Sequence, residues 1–192
     1  VITNISYAHA KNFKNLKQIA LAKSEIMNNI VSGGSIILNA DDKFYKFHQK
    51  IALKKKLKVY SFSINKKNAT VRLNSIKKEK TKFKATININ NQKKHFFISS
   101  NFENNLKNLL AAITVISIFK DIKTLNKNIF YNYQIPYGRG DLSKIKINKK
   151  NILLIDESYN SNPLSLKSSI NNFDLIDSKH NKKHLILGDM LE

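Results

Sequence analysis

The sequence predicts an α/β protein in which a mostly parallel sheet passes into a small antiparallel one, followed by the start of a second α/β unit. Three observations carry that expectation. Residues 1–62 alternate short apolar runs with stretches of helical spacing, the pattern of strands joined by crossover helices. Residues 69–99 change to period-two alternation broken by Asn- and Lys-rich turns, the pattern of antiparallel strands. Residues 133–141 then gather Pro136, Gly138 and Gly140, one of the chain's two prolines and two of its five glycines, and mark a boundary.

The elements follow in order. Residues 1–5 read as the end of a buried strand. Leu16, Ile19, Ala20, Lys23, Ile26, Met27 and Ile30 recur at helical spacing, so 15–31 is expected to be an amphipathic helix, ended by Gly33-Gly34. Residues 35–38 form a short strand. Residues 41–56 fit a helix with Phe44, Phe47, Ile51 and Leu53 inward, and 57–62 another strand. Strands are expected at 69–73, 82–89 and 94–99. The strongest helical pattern is 102–119, where Phe102, Leu106, Leu109, Leu110, Ile113 and Ile116 share a face. A further helix is expected at 122–131. Beyond the boundary come strands at 142–147 and 151–155, a loop, a helix at 164–175 and a strand at 184–187. The domains divide as 1–134 and 135–192.

Composition narrows the function classes. Hydrophobic residues make up 42% of 192, enough for a buried core. The absence of cysteine excludes disulfides and thiolate metal sites. The longest apolar run, 109–119, is too short to span a bilayer and contains Thr114 and Ser117. No basic segment followed by an apolar stretch opens the chain, and both ends read as cut through strands. A cytoplasmic, monomeric protein is expected. The formal charge of +21 invites a nucleic-acid reading. Against it, nearly all the positive charge is lysine spread along the chain, and Arg72 and Arg139 are the only arginines. Readers of nucleic acid need arginine forks and aromatic platforms, so no nucleic-acid partner is expected.

Three segments lie where loops leave strands, the usual place for an α/β active site. The first is Ile2-Thr3-Asn4-Ile5-Ser6-Tyr7-Ala8-His9, with Lys23 further along. The second is Asn104-Asn105-Leu106-Lys107-Asn108. The third is Asp156-Glu157-Ser158-Tyr159-Asn160-Ser161-Asn162-Pro163, with Gly138-Arg139 before it. Each has a plainer reading. His9 is also an ordinary loop residue. The asparagines also suit a helix cap and first turn, and the third segment also suits helix capping with Pro163 at the entry. Lys23 falls in step with Ile19, Ile26 and Met27, and a buried lysine must find a partner or lose its proton. Arg139, between glycines, is either a surface arginine or a phosphate ligand.

The combination and order of these segments resemble the Mur ligase family. Ile2–His9 resembles the family's Ile-Thr-Asn-Ile, two residues, Ala-His. Ala22–Ile26 is similar to Ala-Lys-x-Glu-Ile, and Ile37–Asp42 carries Ile-Leu-Asn-Ala-Asp-Asp unchanged. Gly138-Arg139 matches a family Gly-Arg. Asp156–Pro163 resembles Asp-Asp-Ser-Tyr-Asn-Ala-Asn-Pro, and Leu187–Glu192 matches Leu-Gly-Asp-Met-Leu-Glu. The tyrosine-asparagine form of the third segment points to the branch that adds D-alanyl-D-alanine. The sister branch that adds diaminopimelate or lysine carries an Asp-Tyr-Ala-His type segment instead.

The resemblance implies a fold: the later part of a central ATP-binding domain, then the start of a Rossmann-like C-terminal domain. It implies an activity, the ATP-dependent joining of D-alanyl-D-alanine to UDP-N-acetylmuramoyl-tripeptide through an acyl phosphate. It also implies roles. His9 and Lys23, the latter carbamylated, would hold Mg²⁺. Asn105 and Asn108 would meet adenine and its surroundings, and Arg139 an ATP phosphate. Asp156 or Glu157 would bond the ribose. Tyr159, Asn160 and Asn162 would shape the site for the incoming dipeptide. Asp41 and Asp42 are read as structural. The chain departs from the pattern at Ser6-Tyr7, Lys11, Asn104 and Glu157. No Gly-x-x-x-x-Gly-Lys-Ser/Thr phosphate loop occurs in these 192 residues, so the chain alone is not expected to bind ATP tightly or to ligate. The alternatives are another Mur ligase, a folylpolyglutamate synthase-like ligase, or a basic nucleic-acid-binding domain.

Overall fold

The computed structural model describes residues 1–7, 13–100, 102–133, 135–176 and 182–189. They fall into two compact units that divide after Tyr133.

In the first unit, β1 (Ser35–Asn39), β2 (Lys58–Ser63), β3 (Val71–Glu79), β4 (Lys82–Ile89) and β5 (Gln92–Ile98) form one sheet in that order. β1 runs parallel to β2 and β2 parallel to β3, whereas β3–β4 and β4–β5 are antiparallel. The parallel and antiparallel parts are therefore one continuous sheet, and β3 is the seam. The β4–β5 turn rests on Asn90 and Asn91, with φ of 47° and 67°. Asparagine tolerates that left-handed conformation, which a type I′ hairpin requires. Ile2 extends the parallel edge through a bridge to Leu38.

Among the described residues four α-helices follow from the apolar spacing: α1 (Leu16–Ser24), α2 (Tyr45–Lys54) and α3 (Glu103–Phe119) in the first unit, and α4 (Pro163–Leu175) in the second. α3 lays Leu106, Leu110 and Ile113 onto Phe62, Val71, Ala85, Ile87 and Phe96, all buried. Each large apolar side chain so buried contributes about 1.5–3 kcal/mol. β1 is covered on both faces. Ile37 joins the α3 cluster, while Ile36 and Leu38 point the other way and are each 1% exposed. That double burial explains why β1 reads as a continuous apolar run.

The second unit is smaller. β6 (Asp141–Ile147) and β7 (Lys150–Asp156) pair as an antiparallel hairpin whose turn residues, Asn148 and Lys149, have φ of 48° and 65°. α4 follows after a short loop.

Several expectations are corrected. The helix expected over 15–31 stops at Ser24 and continues as a 3-10 turn, Glu25–Asn29. The Ser24 hydroxyl bonds the Leu21 carbonyl and so competes with the regular ladder. α2 starts at Tyr45 because the Asp41 and Asp42 carboxylates are engaged in loop contacts. Its buried residues are His48 and Ala52, and Leu53 is 60% exposed. The helix expected over 122–131 is only a 3-10 turn at Ile122–Thr124. Asn126 there accepts the Asn128 N–H on its side chain, and the Lys127 carbonyl is drawn to the Phe97 N–H. Residues 184–187 lie outside any strand, and Ile186 is 97% exposed. Among the described residues no strand pairs with that run, and an apolar run without a neighbouring ladder has no sheet to join. No helix among the described residues is long and apolar enough to cross a membrane.

Candidate functional site

The candidate residues fall into two groups, one in each unit. In the first unit, residues 2–5 are held from several sides. The Thr3 carbonyl accepts from Asn39 Nδ2 at 2.9 Å, and the Asn4 carbonyl accepts from Lys23 Nζ at 3.0 Å. The Ile5 N–H donates to Asp42 Oδ2 at 2.8 Å, while Asp42 Oδ1 accepts from the Phe44 N–H at 2.8 Å. Asp41 does the matching task at β2, accepting from Ser63 Oγ and from the Ile64 N–H, each at 2.7 Å. The two aspartates staple the strand ends, a structural task, although neither caps α2.

Lys23 corrects an expectation. It is exposed, as are Leu21 and Ile26, whereas α1 turns Ile19, Ala20 and Ser24 inward. Its partner is the Asn4 carbonyl, so its amine is held against residues 2–5 without being buried. His9 lies outside the described residues. Asn105 and Asn108 sit in the first two turns of α3. The N-cap is Phe102, which makes no side-chain cap, so the asparagines do not cap this helix. Asn105 donates from Nδ2 to Ser100 Oγ at 3.1 Å, and the same oxygen accepts the Phe102 N–H. Asn108 is exposed. No three His, Asp or Glu side chains converge among the described residues.

His48 was missed by the sequence reading. It is 2% exposed, and its Nε2 lies 2.9 Å from the Ala20 carbonyl. A ring nitrogen facing a carbonyl carries the proton and donates, so His48 ties α2 to α1. Only its position four residues before buried Ala52 signals this in the sequence.

The second unit brings its candidates together through the hairpin. The register that sets Asp141 opposite Asp156, continued three steps outward, sets Gly138 opposite Tyr159. The chain follows that course. Gly140 N–H donates to the Asp156 carbonyl at 2.7 Å and Tyr159 N–H to the Gly138 carbonyl at 3.0 Å. The Arg139 N–H returns to the Pro136 carbonyl at 3.1 Å, closing a turn with Gly138 at φ +72°. That is the third position of a type II turn, which favours glycine. The Gly138 N–H also donates to Asp141 Oδ1 at 2.8 Å. A Cβ on Gly138 would lie 3.0 Å from the Tyr159 nitrogen.

The outcome is a clasped pair of loops. Arg139 is exposed, and its guanidinium carbon lies 4.2 Å from the centre of the Tyr159 ring. Among the described residues Arg139 has no carboxylate ion pair. Asp156 and Glu157 offer carboxylates on the facing loop. The Ser158 hydroxyl, and then its backbone N–H, hold the Asp156 carboxyl below the usual carboxylate range. Asn162 caps α4: its side-chain oxygen accepts from the Leu164 and Ser165 N–H groups, and Ser165 Oγ accepts from Asn162 N–H. Its oxygen is thus committed to the helix, whatever else the residue does. Asn160 is exposed. Chemically, this unit presents an exposed guanidinium set over an aromatic ring, with no carboxylate ion pair among the described residues.

Residues 1–116 match the family model of the Mur ligase middle domain, and the chain belongs to the Mur ligase family. Within that family it is similar to the UDP-N-acetylmuramoyl-tripeptide--D-alanyl-D-alanine ligase of Rickettsia prowazekii, at 30% identity over the whole chain and 41% of that protein. The same fold occurs in MurF from Acinetobacter baumannii, with a TM-score of 0.76 and 22% identity, covering 91% of this chain and 37% of that one. It occurs also in the MurF ligase of Thermotoga maritima in complex with ADP, with a TM-score of 0.70 and 18% identity, covering 93% and 40%. The chain spans about two fifths of the length of the curated relatives it matches.

Proposed function

We propose that this chain is part of an ATP-dependent ligase that joins D-alanyl-D-alanine to UDP-N-acetylmuramoyl-tripeptide in peptidoglycan precursor synthesis. The observation that carries the reading is the alignment of the whole chain with relatives of that name. In this reading residues 1–134 are the later part of the central ATP-binding domain and 135–192 the start of the C-terminal domain. ATP transfers its terminal phosphoryl group to the tripeptide carboxylate, giving an acyl phosphate and ADP. The dipeptide amine then attacks the acyl carbon, the amide bond forms, phosphate leaves and the amine loses a proton.

The chain's own residues have definable tasks. Arg139 offsets charge on a transferring phosphate. Asp156 or Glu157 accepts hydrogen bonds from the ribose hydroxyls. Asn105 reads the adenine edge, and Asn108 lies one turn further along α3. Tyr159, Asn160 and the amide nitrogen of Asn162 border the dipeptide. Mg²⁺, when bound, would draw on His9 and on Lys23 as its carbamate, whose oxygens suit a hard cation. Asn4 would then hold Lys23 in place before carbamylation.

The experiment is steady-state phosphate release by the ligase containing this chain. Arg139→Ala is expected to raise the KM for ATP and lower kcat, together on the order of 100-fold in kcat/KM, as loss of one charge-stabilising group does. Lys23→Ala is expected to abolish turnover, while Lys93→Ala, on an exposed strand position, is expected to leave it unchanged. Full activity in both Arg139→Ala and Lys23→Ala would overturn the assignment.

A further inference from the structure

We propose that Tyr159 is a positioning residue for Arg139, holding its guanidinium in a fixed plane so that it meets a polyphosphate already oriented. The inference rests on the reading of Arg139 as a phosphate ligand, and it gives Tyr159 a task other than bordering the dipeptide.

Three observations on one loop pair support it. The guanidinium carbon lies over the Tyr159 ring, 4.2 Å from its centre. A ring face attracts a cation through its quadrupole and leaves the in-plane N–H donors free for oxygen acceptors. The backbone beneath the pair is fixed, since Tyr159 N–H donates to the Gly138 carbonyl one residue from Arg139. Finally, the two glycines leave no alternative filling: both are buried at positive φ, and a Cβ at Gly138 would press on the Tyr159 backbone at 3.0 to 3.4 Å. The ring itself is 66% exposed, so it is not there to fill a core. An arginine on a free chain loses rotamer freedom when it binds phosphate. Here the stack has already removed much of that freedom.

The test uses the two arginines as each other's control. In the nuclear magnetic resonance spectrum of the chain, Arg72→Lys assigns the Arg139 Nε–Hε signal by elimination. The ring current of Tyr159 is expected to displace the Arg139 signals upfield in the native chain and in Tyr159→Phe, and the displacement is expected to vanish in Tyr159→Leu. Tripolyphosphate is then titrated at physiological ionic strength. Arg139 is expected to respond at lower concentration than Arg72. Tyr159→Leu is expected to raise its half-saturation about two- to five-fold, the worth of an exposed cation–π contact, and Tyr159→Phe to restore it. The exposure of Tyr159 makes both variants safe for folding. An unchanged Arg139 response in Tyr159→Leu would overturn the positioning role while leaving Arg139 as a phosphate ligand. An Arg139 that responds no better than Arg72 in the native chain would overturn the underlying reading as well.

Discussion

The environment of Asp156 moves its titration. The Ser158 hydroxyl and backbone N–H both donate to its carboxylate, and both favour the charged form. Its folded pKa lies below the unfolded one. The contribution to stability is therefore complete above the unfolded value and is lost as pH falls through the lower, folded value. Ser158→Ala is expected to raise the midpoint of the Asp156 carboxyl, followed by its carbon shift, toward the ordinary range. An unmoved midpoint would show that the hydroxyl is not the cause. Asp42 acts by geometry instead. Replacing it with alanine strands the N–H of Ile5, a residue 6% exposed, together with that of Phe44. A loss of about 1–3 kcal/mol is expected in urea unfolding, with faster hydrogen exchange at Ile5. A change below ~0.5 kcal/mol would mean that water satisfies both groups.

The elements that were legible in sequence are those with long, unbroken periodicity, and α3 and β4 appear where the spacing puts them. The failures at helix boundaries share a cause: short polar side chains that bond the backbone. Ser24 ends α1, the Asn126 region converts an expected helix into turns, and Asp41 and Asp42 delay α2. Hydrophobic pattern carries no trace of those bonds. Capping is the readable exception, since the 156–163 segment with Pro163 at the helix entry announces α4, and the structure adds Ser165 to the box. Asn162→Ala is expected to destabilise α4 by about 1 kcal/mol, seen as faster exchange at the Leu164 and Ser165 amides. Unchanged exchange there would contradict the cap. Gly138→Ala places a Cβ in the left-handed region, at a cost of about 1–2 kcal/mol, and pushes on Tyr159. Thermal unfolding of the second unit is expected to shift downward and the Arg139 ring-current displacement to shrink. Retention of both would contradict the clasped loops.

At the scale of the molecule, the order of the segments said more than any one of them. Lys23, Asn105, Arg139 and the 156–163 loop are ordinary residues singly, and the combination and order of the motifs that hold them carry the family resemblance. The structure adds what spacing cannot. The β6–β7 register delivers Arg139 to Tyr159, and Lys23 reaches the Asn4 carbonyl from an exposed face. The buried tie from His48 to Ala20 had only its spacing from Ala52 to signal it, because one histidine in a lysine-rich helix makes little pattern. The proposed function makes D-alanyl-D-alanine the amine substrate of the ligase to which this chain belongs. The direct measurement is phosphate release by the complete ligase containing this chain. It is supplied with ATP, Mg²⁺ and UDP-N-acetylmuramoyl-tripeptide, and offered D-alanyl-D-alanine, diaminopimelate, L-lysine or L-glutamate in turn. Release that depends on D-alanyl-D-alanine is the predicted result. Release driven equally by another of these amines, or by none, would contradict it.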